Sequence, residues 1–197
     1  KELTIIDSAN NAVTINKPVK KVVIGSSYYG EALLYILDID DNIIVGVEEA
    51  TKTKSVLLPQ LSEKESAGSR NNPDIEKILD LNPDIVFVYV NSPKPELVED
   101  KLEGTGIRVI RMDLWKMATL REEVEKLGYI FGKQENANKY LEFNDEIIGY
   151  ITEQISKIPE DERPRVYLDA SAAEGTSDRK TRNAPDGVHQ LCESAGG

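Results

Sequence analysis

The sequence predicts an α/β protein whose mostly parallel sheet carries helices on both faces. Short apolar runs alternate with amphipathic segments over residues 1–118, as they do in successive β-α-β units. The apolar runs are continuous rather than alternating, which is typical of strands covered on both faces. A long amphipathic segment follows, and a fresh apolar run begins after it. We therefore expect an N-terminal α/β lobe over 1–118, a helical spine over 119–160, and an incomplete second α/β lobe over 161–197.

The elements of the first lobe can be assigned in chain order. Two apolar runs flank Asn10 and Asn11, so the chain should open with a β-hairpin. Buried strands are then expected at VVI (22–24), IIVGV (43–47), PDIVFVYV (83–90) and IRVIRMD (107–113). Helices should follow these strands or lie between them, at 28–38, 72–82, 95–106 and 120–132. In the second of these helices, we expect Asn72 to be the N-cap and Pro73 to occupy the first helical position.

The long segment Gln134–Ile158 should form a single helix. Apolar residues recur at steps of three, four and seven between Ala137 and Ile158, and Gly132 and Pro159 bound the pattern. At ~1.5 Å per residue, such a helix is roughly 36 Å long. A rod of this length between two α/β units would leave a cleft between them. The alternative is a long amphipathic helix on the surface of one domain.

The net charge and the cysteine count exclude several functions. A charge of −11 argues against binding to nucleic acids or to an anionic membrane surface. One cysteine cannot form an internal disulfide, and one cysteine with one histidine cannot build the usual zinc cluster. No run of about 18 apolar residues is present, so we expect no transmembrane segment in this chain.

Catalytic motifs are weak throughout the sequence. The GSS sequence at 25–27 follows a strand but lacks the G-x-S-x-G spacing of a nucleophile elbow, and His189 is remote from it. The longer segment GSSYYGE (25–31) matches neither the dinucleotide-binding nor the P-loop spacing. Glu48 and Glu49 are adjacent, so in a strand they would point to opposite faces instead of sharing a metal. We predict no catalytic residue, no metal site and no intrinsic cofactor.

The candidate ligand site lies in the loops that follow the strands, because ligands of open parallel sheets bind beyond the strands' carboxyl ends. Arg70 could grip an oxygen-rich anion through two donors, although pairing with Glu63 or Glu65 would explain it equally well. Aromatic residues in these loops could offer flat amphipathic faces, although ordinary packing explains any single one. The candidate ligand-binding residues are Ser27, Tyr28, Tyr29, Arg70, Asn71, Tyr89, Asn91 and Trp115, together with Glu174 in the long polar loop of the second lobe.

The most specific motif is G-S-R-x-x-P-D-I-E at 68–76, followed by L-N-P-D-I-V at 81–86. With the opening segment at 3–24, the long helix, RPRVYLDA (163–170) and GVHQLCESAGG (187–197), this motif resembles the substrate-binding proteins of ABC importers for iron–siderophores, cobalamin and haem. The resemblance covers essentially the whole chain. It implies two α/β lobes joined by one long helix, a ligand clamped between the lobes, and no catalysis.

The resemblance also implies roles for individual residues. An arginine at the position of Arg70 holds the iron chelate in siderophore binders, whereas cobalamin binders tend to have an aromatic residue there. A glutamate at the position of Glu76 docks on basic residues of the membrane permease, and the matching glutamate of the second lobe is not identifiable in this chain. Asn91 departs from the pattern, since some hydroxamate binders have a tyrosine in its place.

Together these implications predict a solute-binding protein that captures a metal chelate and delivers it to an ABC importer permease. A ferric siderophore is favoured, and cobalamin and haem are alternatives. The protein would be extracytoplasmic, either free or lipid-anchored, after removal of its signal. Two other classes stay open: an α/β enzyme using a small anionic or nucleotide ligand, and a partner-binding module that has lost the ligand site. Because the second lobe has barely begun where the sequence stops, this piece alone should not close on a ligand.

Overall fold

The chain folds into an N-terminal hairpin, a five-stranded parallel sheet and the helices around that sheet. The structure is a computed structural model that describes residues 1–53 and 56–163, without the side chains of Ser27 and Tyr28. The strands are β1 (Glu2–Ile6), β2 (Ala12–Asn16), β3 (Val22–Ile24), β4 (Ile44–Val47), β5 (Glu65–Ser66), β6 (Gly68–Ser69), β7 (Asn72–Pro73), β8 (Ile85–Val88) and β9 (Arg108–Arg111). The helices are α1 (Ser27–Glu31, continued by a π-helical turn over Ala32–Ile36), α2 (Glu49–Lys52), α3 (Pro59–Ser62), α4 (Ile75–Leu81), α5 (Pro95–Leu102), α6 (Met117–Phe131) and α7 (Gln134–Ser156).

The opening hairpin pairs β1 with β2 in antiparallel register, with Ile5 opposite Val13. Asp7 closes its turn, because one carboxylate oxygen accepts the backbone N–H groups of Ala9 and Asn11, each at 2.9 Å. The other oxygen of the same carboxylate accepts a backbone N–H from the last residue of β9 at 3.1 Å. The predicted hairpin is therefore present, and a buried side chain fastens it to the edge of the sheet.

The sheet is covered on both faces, which explains why its strands read as continuous apolar runs. Its strand order is β5-β4-β3-β8-β9, and every neighbouring pair is parallel. One face packs against α1, α6 and α7 through buried residues that include Ile24, Leu33, Phe87, Val124, Leu127 and Leu141. The opposite face packs against α4 and α5 through Val23, Ile78, Val86, Val98 and Leu102. Because successive strand residues point to opposite faces, both sets must be apolar. The predicted α/β class is confirmed.

The start of α4 differs from the prediction. Asn72 and Pro73 do not open the helix; they form β7 and pair with β6 in a short antiparallel hairpin. Asp74 is the N-cap instead, and its carboxylate accepts the N–H of Lys77 at 3.0 Å. Gly68 has a φ of +86°, a backbone conformation that L side chains rarely adopt, and this lets the chain turn into the hairpin. The residues assigned to the first helical turn therefore belong to a separate two-stranded ribbon.

The long helix α7 is unbroken from Gln134 to Ser156, two residues shorter than predicted. It packs against α6 at Gly128, where an added Cβ would lie 2.9 Å from the Cβ of Ala137. Farther along, Arg121 of α6 pairs with Asp145 at 2.5 Å, so the two helices run antiparallel. Because α6 follows directly from the carboxyl end of β9, α7 runs toward that edge of the sheet. From Asp145 to Ser156 it extends about 16 Å further.

The apolar face of α7 is covered along its first half only. Ala137 and Leu141 are buried against the first lobe. Several large apolar residues from Phe143 onward are exposed: Phe143, Ile147, Tyr150, Ile151 and Ile158. No helix in the described part of the chain is long and apolar enough to span a membrane.

The predicted second lobe, 161–197, lies almost entirely outside the described residues, whose last helical element is a 3₁₀ turn at Glu160–Glu162. The strand expected at 163–170 and the candidate residue Glu174 also lie beyond them, apart from Arg163. The proposed boundaries at 118 and 160 stay predictions. The helical region itself has similar limits, since α6 begins at Met117 and α7 ends at Ser156.

Candidate functional site

The loops at the carboxyl edge of the sheet are linked to one another by hydrogen bonds. Glu48, directly after β4, accepts the backbone N–H of Arg70 at 3.2 Å. The Ser92 hydroxyl, after β8, donates to the Asn71 side-chain carbonyl at 2.7 Å. A carboxylate oxygen of Asp113, after β9, accepts a backbone N–H from the loop after β8 at 3.1 Å. Four separate loops thus form one connected rim.

Arg70 stands at the tip of the β6–β7 hairpin with its guanidinium exposed. The guanidinium carbon lies 5.6 Å from the ring centroid of Tyr89, which is a cation–π distance. The alternative partner Glu65 is bound instead to Lys77 at 3.0 Å. None of the carboxylates in residues 1–53 and 56–163 forms an ion pair with Arg70. Its donors therefore remain available to a ligand.

The ring of Tyr89 lies beneath the guanidinium of Arg70. Its side chain is largely buried, so the ring is held by the lobe and only part of it faces outward. Its backbone carbonyl accepts a hydrogen bond from Nη1 of Arg111 at 2.9 Å. The same nitrogen also donates to the Val90 carbonyl at 3.2 Å, which fixes the start of the loop after β8.

Arg111 is itself buried in the last position of β9. Its Nε and Nη2 donate to the two carboxylate oxygens of Glu99 on α5, at 2.5 and 2.8 Å. A guanidinium with this planar fork satisfies a carboxylate and two carbonyls at once. The pair therefore joins α5, β9 and the loop that carries Tyr89.

Glu123 anchors the loop after β9 from below. It is fully buried on α6, and its carboxylate accepts the N–H groups of Asp113 and Leu114 at 3.1 and 2.6 Å. It also accepts the Ser8 hydroxyl at 2.6 Å, which ties the hairpin turn to the same point. Sequence reasoning missed both Arg111 and Glu123. The available signal was a charged residue within an otherwise apolar strand or helix face, a pattern that is rarely tolerated without pairing.

Tyr29 was expected to line the ligand site, and that prediction is wrong. Its side chain is fully buried and stacks on Phe87 with ring centroids 4.8 Å apart. Its hydroxyl donates to the carbonyls of Val88 and Met112, at 3.2 and 3.0 Å. Tyr29 shares the core-facing side of its helix with Leu33, so it packs the lobe and cannot contact a ligand.

The remaining candidates are dispersed along the rim or lie outside the description. Trp115 is partly exposed in the loop after β9, with Nζ of Lys116 5.4 Å from its ring centroid. Asn91 is exposed in the turn between Tyr89 and Ser92. The side chains of Ser27 and Tyr28 and all of Glu174 are outside the described residues. The structure thus brings together Arg70, Asn71 and Tyr89, and adds Glu48 and Ser92 to them.

Glu76 lies away from this rim cluster, exposed in the first turn of α4. It borders an open cavity of about 600 Å³ between the β6–β7 hairpin and α5, with Asp74 and Lys101 on its walls. A second cavity of about 680 Å³ lies between β2, β9 and α5. Neither cavity includes Arg70 or Tyr89. Across the described residues, no group of three histidine, cysteine, aspartate or glutamate side chains is placed to hold a metal ion.

Replacing Tyr29 with phenylalanine should change how stability depends on pH. Burial, and then the charge of Glu123, raise the pKa of Tyr29 well above its ordinary value of about 10. The neutral phenol is favoured in the folded state, so its contribution is complete below about pH 10 and is lost as the pH rises further. The variant should be less stable at pH 7, by about 1 kcal/mol, because it loses the hydrogen bond that one O–H shares between two carbonyls. Urea unfolding from pH 7 to 11 should then show the two stability curves converging above pH 10. Curves that stay parallel would contradict the assignment.

Replacing Gly68 with alanine should destabilise the β6–β7 hairpin. The new Cβ would lie 2.5 Å from the backbone nitrogen of Asp74 and 2.7 Å from the carbonyl oxygen of Asn72, and φ is +86°. We expect the free energy of unfolding to fall by roughly 1–3 kcal/mol from backbone strain, with the overlap adding to it. Gly106→Ala is the matched control, since its φ of +89° is similar but no atom lies within 4 Å. Equal losses for the two variants would show that the close backbone approach is unimportant.

Comparison with known proteins identifies the family of this chain. A family model described as periplasmic binding protein matches residues 22–177, most of the chain. This chain belongs to the periplasmic binding protein family. Comparison with curated protein sequences finds no match.

Solved structures share the fold of this periplasmic binding protein at low sequence identity. A periplasmic solute binding protein from Veillonella parvula is 22% identical with a TM-score of 0.68, over 81% of this chain and 50% of its own. The molybdate periplasmic binding protein MolA from Haemophilus influenzae is 20% identical with a TM-score of 0.71, over 82% of this chain and 56% of its own. A petrobactin-binding protein from Bacillus subtilis is 20% identical with a TM-score of 0.65, over 80% of this chain and 54% of its own. The chain therefore spans about half the length of the structures it matches.

Membership of this family bears on the enzyme alternative that the sequence left open. Its family model is described as a periplasmic binding protein, and its solved neighbours include an ABC transporter solute binding protein and a petrobactin-binding protein rather than enzymes. The alternative of an α/β enzyme is therefore not supported.

Proposed function

We propose that this protein captures an anionic metal chelate outside the cytoplasm and delivers it to the permease of an ABC importer. A ferric siderophore is the favoured ligand, and cobalamin and haem are alternatives. The main support is Arg70, whose exposed guanidinium stands over Tyr89 at the carboxyl edge of the sheet without an ion-pair partner among the described residues. The chain as a whole is negative, with a net charge of −11. An available cation at the carboxyl edge of the sheet is therefore the local feature that would attract a negatively charged ligand.

The chemistry of the guanidinium favours an oxygen-rich ligand. Its planar donors can bind two oxygens of a carboxylate, catecholate or oxyanion in parallel, and the ring beneath restricts the motion of the side chain. Proteins of the same fold bind molybdate, petrobactin and haem. This range is consistent with a rim that recognises anionic or metal-containing ligands and leaves the individual ligand to other contacts.

The exposed half of α7 supports a two-lobed arrangement. Ile147 and Ile151 are both more than 40% exposed on the second half of α7. Apolar residues at helical spacing are usually covered by a packed element. We propose that the second lobe covers this face and supplies the other wall of the ligand cleft. The chain's coverage of about half the length of its solved neighbours is consistent with this arrangement.

Thermal-shift measurements should test the ligand class. The panel would contain ferric petrobactin, haemin, cobalamin, molybdate and, as a negative control, ATP. A ligand present at 100 times its Kd should stabilise the folded protein by about 2.7 kcal/mol through mass action. Stabilisation by a metal chelate and none by ATP would support the proposal. Stabilisation by ATP alone would contradict it, and no response to any probe would favour a partner-binding module without a ligand site.

Replacing Glu76 with alanine should slow uptake without weakening ligand binding. We propose that this exposed carboxylate docks on basic residues of the permease. Its loss would then remove an exposed ion pair between the two proteins, worth about 0–1 kcal/mol, and slow their association. The measurement is transport of the labelled chelate in cells, alongside the Kd of the purified protein. Glu135→Ala is the control, since Glu135 is also exposed but lies at the start of α7, near the opposite edge of the sheet. Unchanged uptake in the Glu76 variant would remove its docking role.

A further inference from the structure

The tip of the β6–β7 hairpin is held from two sides. On one side, the buried carboxylate of Glu48 accepts the backbone N–H of Arg70 at 3.2 Å. On the other side, the hydroxyl of Ser92 donates to Oδ1 of Asn71 at 2.7 Å. Both residues of the two-residue turn are therefore tied to the main sheet through the ends of neighbouring loops.

Ser92 belongs to the same turn that supplies the ring beneath Arg70. It pairs with Tyr89 through an isolated antiparallel bridge. The start of that turn is fixed by Arg111 and Asp113, which bind the backbone of Tyr89 and Val90. The Ser92–Asn71 bond therefore sets the separation between the arginine and the aromatic ring.

The side chain of Asn71, one of the candidate ligand-binding residues, already makes a hydrogen bond within the protein. Its side-chain oxygen is already used by Ser92, so it cannot accept a second strong bond from a ligand in the same direction. Arg70, in contrast, is an exposed side chain with several rotatable bonds, which would lose conformational freedom on binding a ligand. If its backbone is held beside Tyr89, the side chain has fewer conformations before binding, and less conformational entropy is lost when a ligand binds.

We propose that Ser92 and Asn71 are positioning residues, which hold Arg70 over Tyr89 with its donors directed toward an incoming anion. The assignment of an anionic ligand rests on the proposed function, whereas the positioning itself does not require a ligand. Ser92 contributes through its hydroxyl, so threonine should replace it and alanine should not.

The positioning can be measured in the ligand-free chain by NMR. The guanidinium carbon of Arg70 lies over the Tyr89 ring, 5.6 Å from its centroid, so the ring current should displace the signals of the neighbouring δ-methylene protons upfield from those of free arginine. Arg70→Lys identifies the signal by removing it. Ser92→Ala and Asn71→Ala should each return the signal toward the free value, while Ser92→Thr should keep it near the original position. Ser156→Ala is the control, because that hydroxyl bonds only a carbonyl one turn back on α7. An unmoved signal in Ser92→Ala would overturn the proposal.

A second measurement links the positioning to binding, with ferric petrobactin as the probe. Ser92→Ala should weaken its binding about three- to tenfold, and should have no further effect when Arg70 is already alanine. Equal affinity of the wild-type and Ser92→Ala proteins would overturn the role of positioning in binding. If the NMR signal responds as expected but the wild-type protein binds no anionic chelate, the proposed function fails while the positioning role stands.

Discussion

Replacing Arg111 with methionine should lower the free energy of unfolding by about 3 kcal/mol or more. The substitution leaves Glu99 without its bidentate partner and removes a donor from the carbonyls of Tyr89 and Val90. The Arg111 side chain is only 3% exposed, so water cannot replace these bonds fully. Methionine is chosen because it fills much of the same volume with an unbranched side chain, which limits the cavity term.

Arg121→Met is the matched control for this prediction. Arg121 also makes a 2.5 Å contact with a carboxylate, Asp145, but the two side chains are 51% and 61% exposed. Exposed ion pairs typically contribute about 0.2–1 kcal/mol, so this variant should be nearly as stable as the wild type. Urea unfolding of the two variants measures the contrast. Similar losses for Arg111 and Arg121 would show that burial does not set the strength of these pairs.

Replacing Arg70 with alanine should weaken binding of an anionic chelate by about 1–3 kcal/mol. The loss reflects charge-assisted hydrogen bonds, because the guanidinium is the available cation at the tip of the β6–β7 hairpin and makes no ion pair within the described residues. The fold should be unaffected, since the side chain is exposed and contributes only its contact with Tyr89. Isothermal titration with ferric petrobactin, beside urea unfolding of the same protein, would separate affinity from stability.

Two further variants define the role of Arg70. Arg70→Lys keeps the charge but loses the planar fork, so it should recover only part of the lost affinity. Arg121→Ala removes an arginine from the outer side of α6 and should leave the affinity unchanged. An Arg70→Ala protein that binds the chelate as tightly as the wild type would remove this residue from the site.

The strands and the long helix were predictable because local patterns decide them. A strand buried on both faces must be apolar at every position, so β3 and β8 are visible as uninterrupted runs. The helix α7 is bounded by a glycine and a proline and carries a regular apolar stripe, so its ends were predicted to within two residues. These features depend on neighbours in sequence, which the sequence itself displays.

The start of α4 and the placement of Tyr29 were not predictable in the same way. Asn72 and Pro73 are good helix-start residues, but a cross-strand pairing with Gly68 and Ser69 competes for them and wins. Tyr29 follows a strand end, as a ligand-binding residue would, but its place on the core-facing side of α1 directs its ring onto Phe87. In both cases a contact distant in sequence overrides the local preference.

The sequence by itself determined the α/β class, the opening hairpin, the four apolar strands of the sheet, the long helix and the arginine-bearing motif at 68–76, but it did not show the short strands β5, β6 and β7. The tertiary structure alone decided which loops meet. It placed Arg70 over Tyr89, connected Asn71 to Ser92, and buried Arg111 and Glu123 as the anchors beneath them. The physical reason is that periodicity and capping act over a few residues. A hydrogen bond between loops depends instead on strand order and twist, which only the folded sheet fixes.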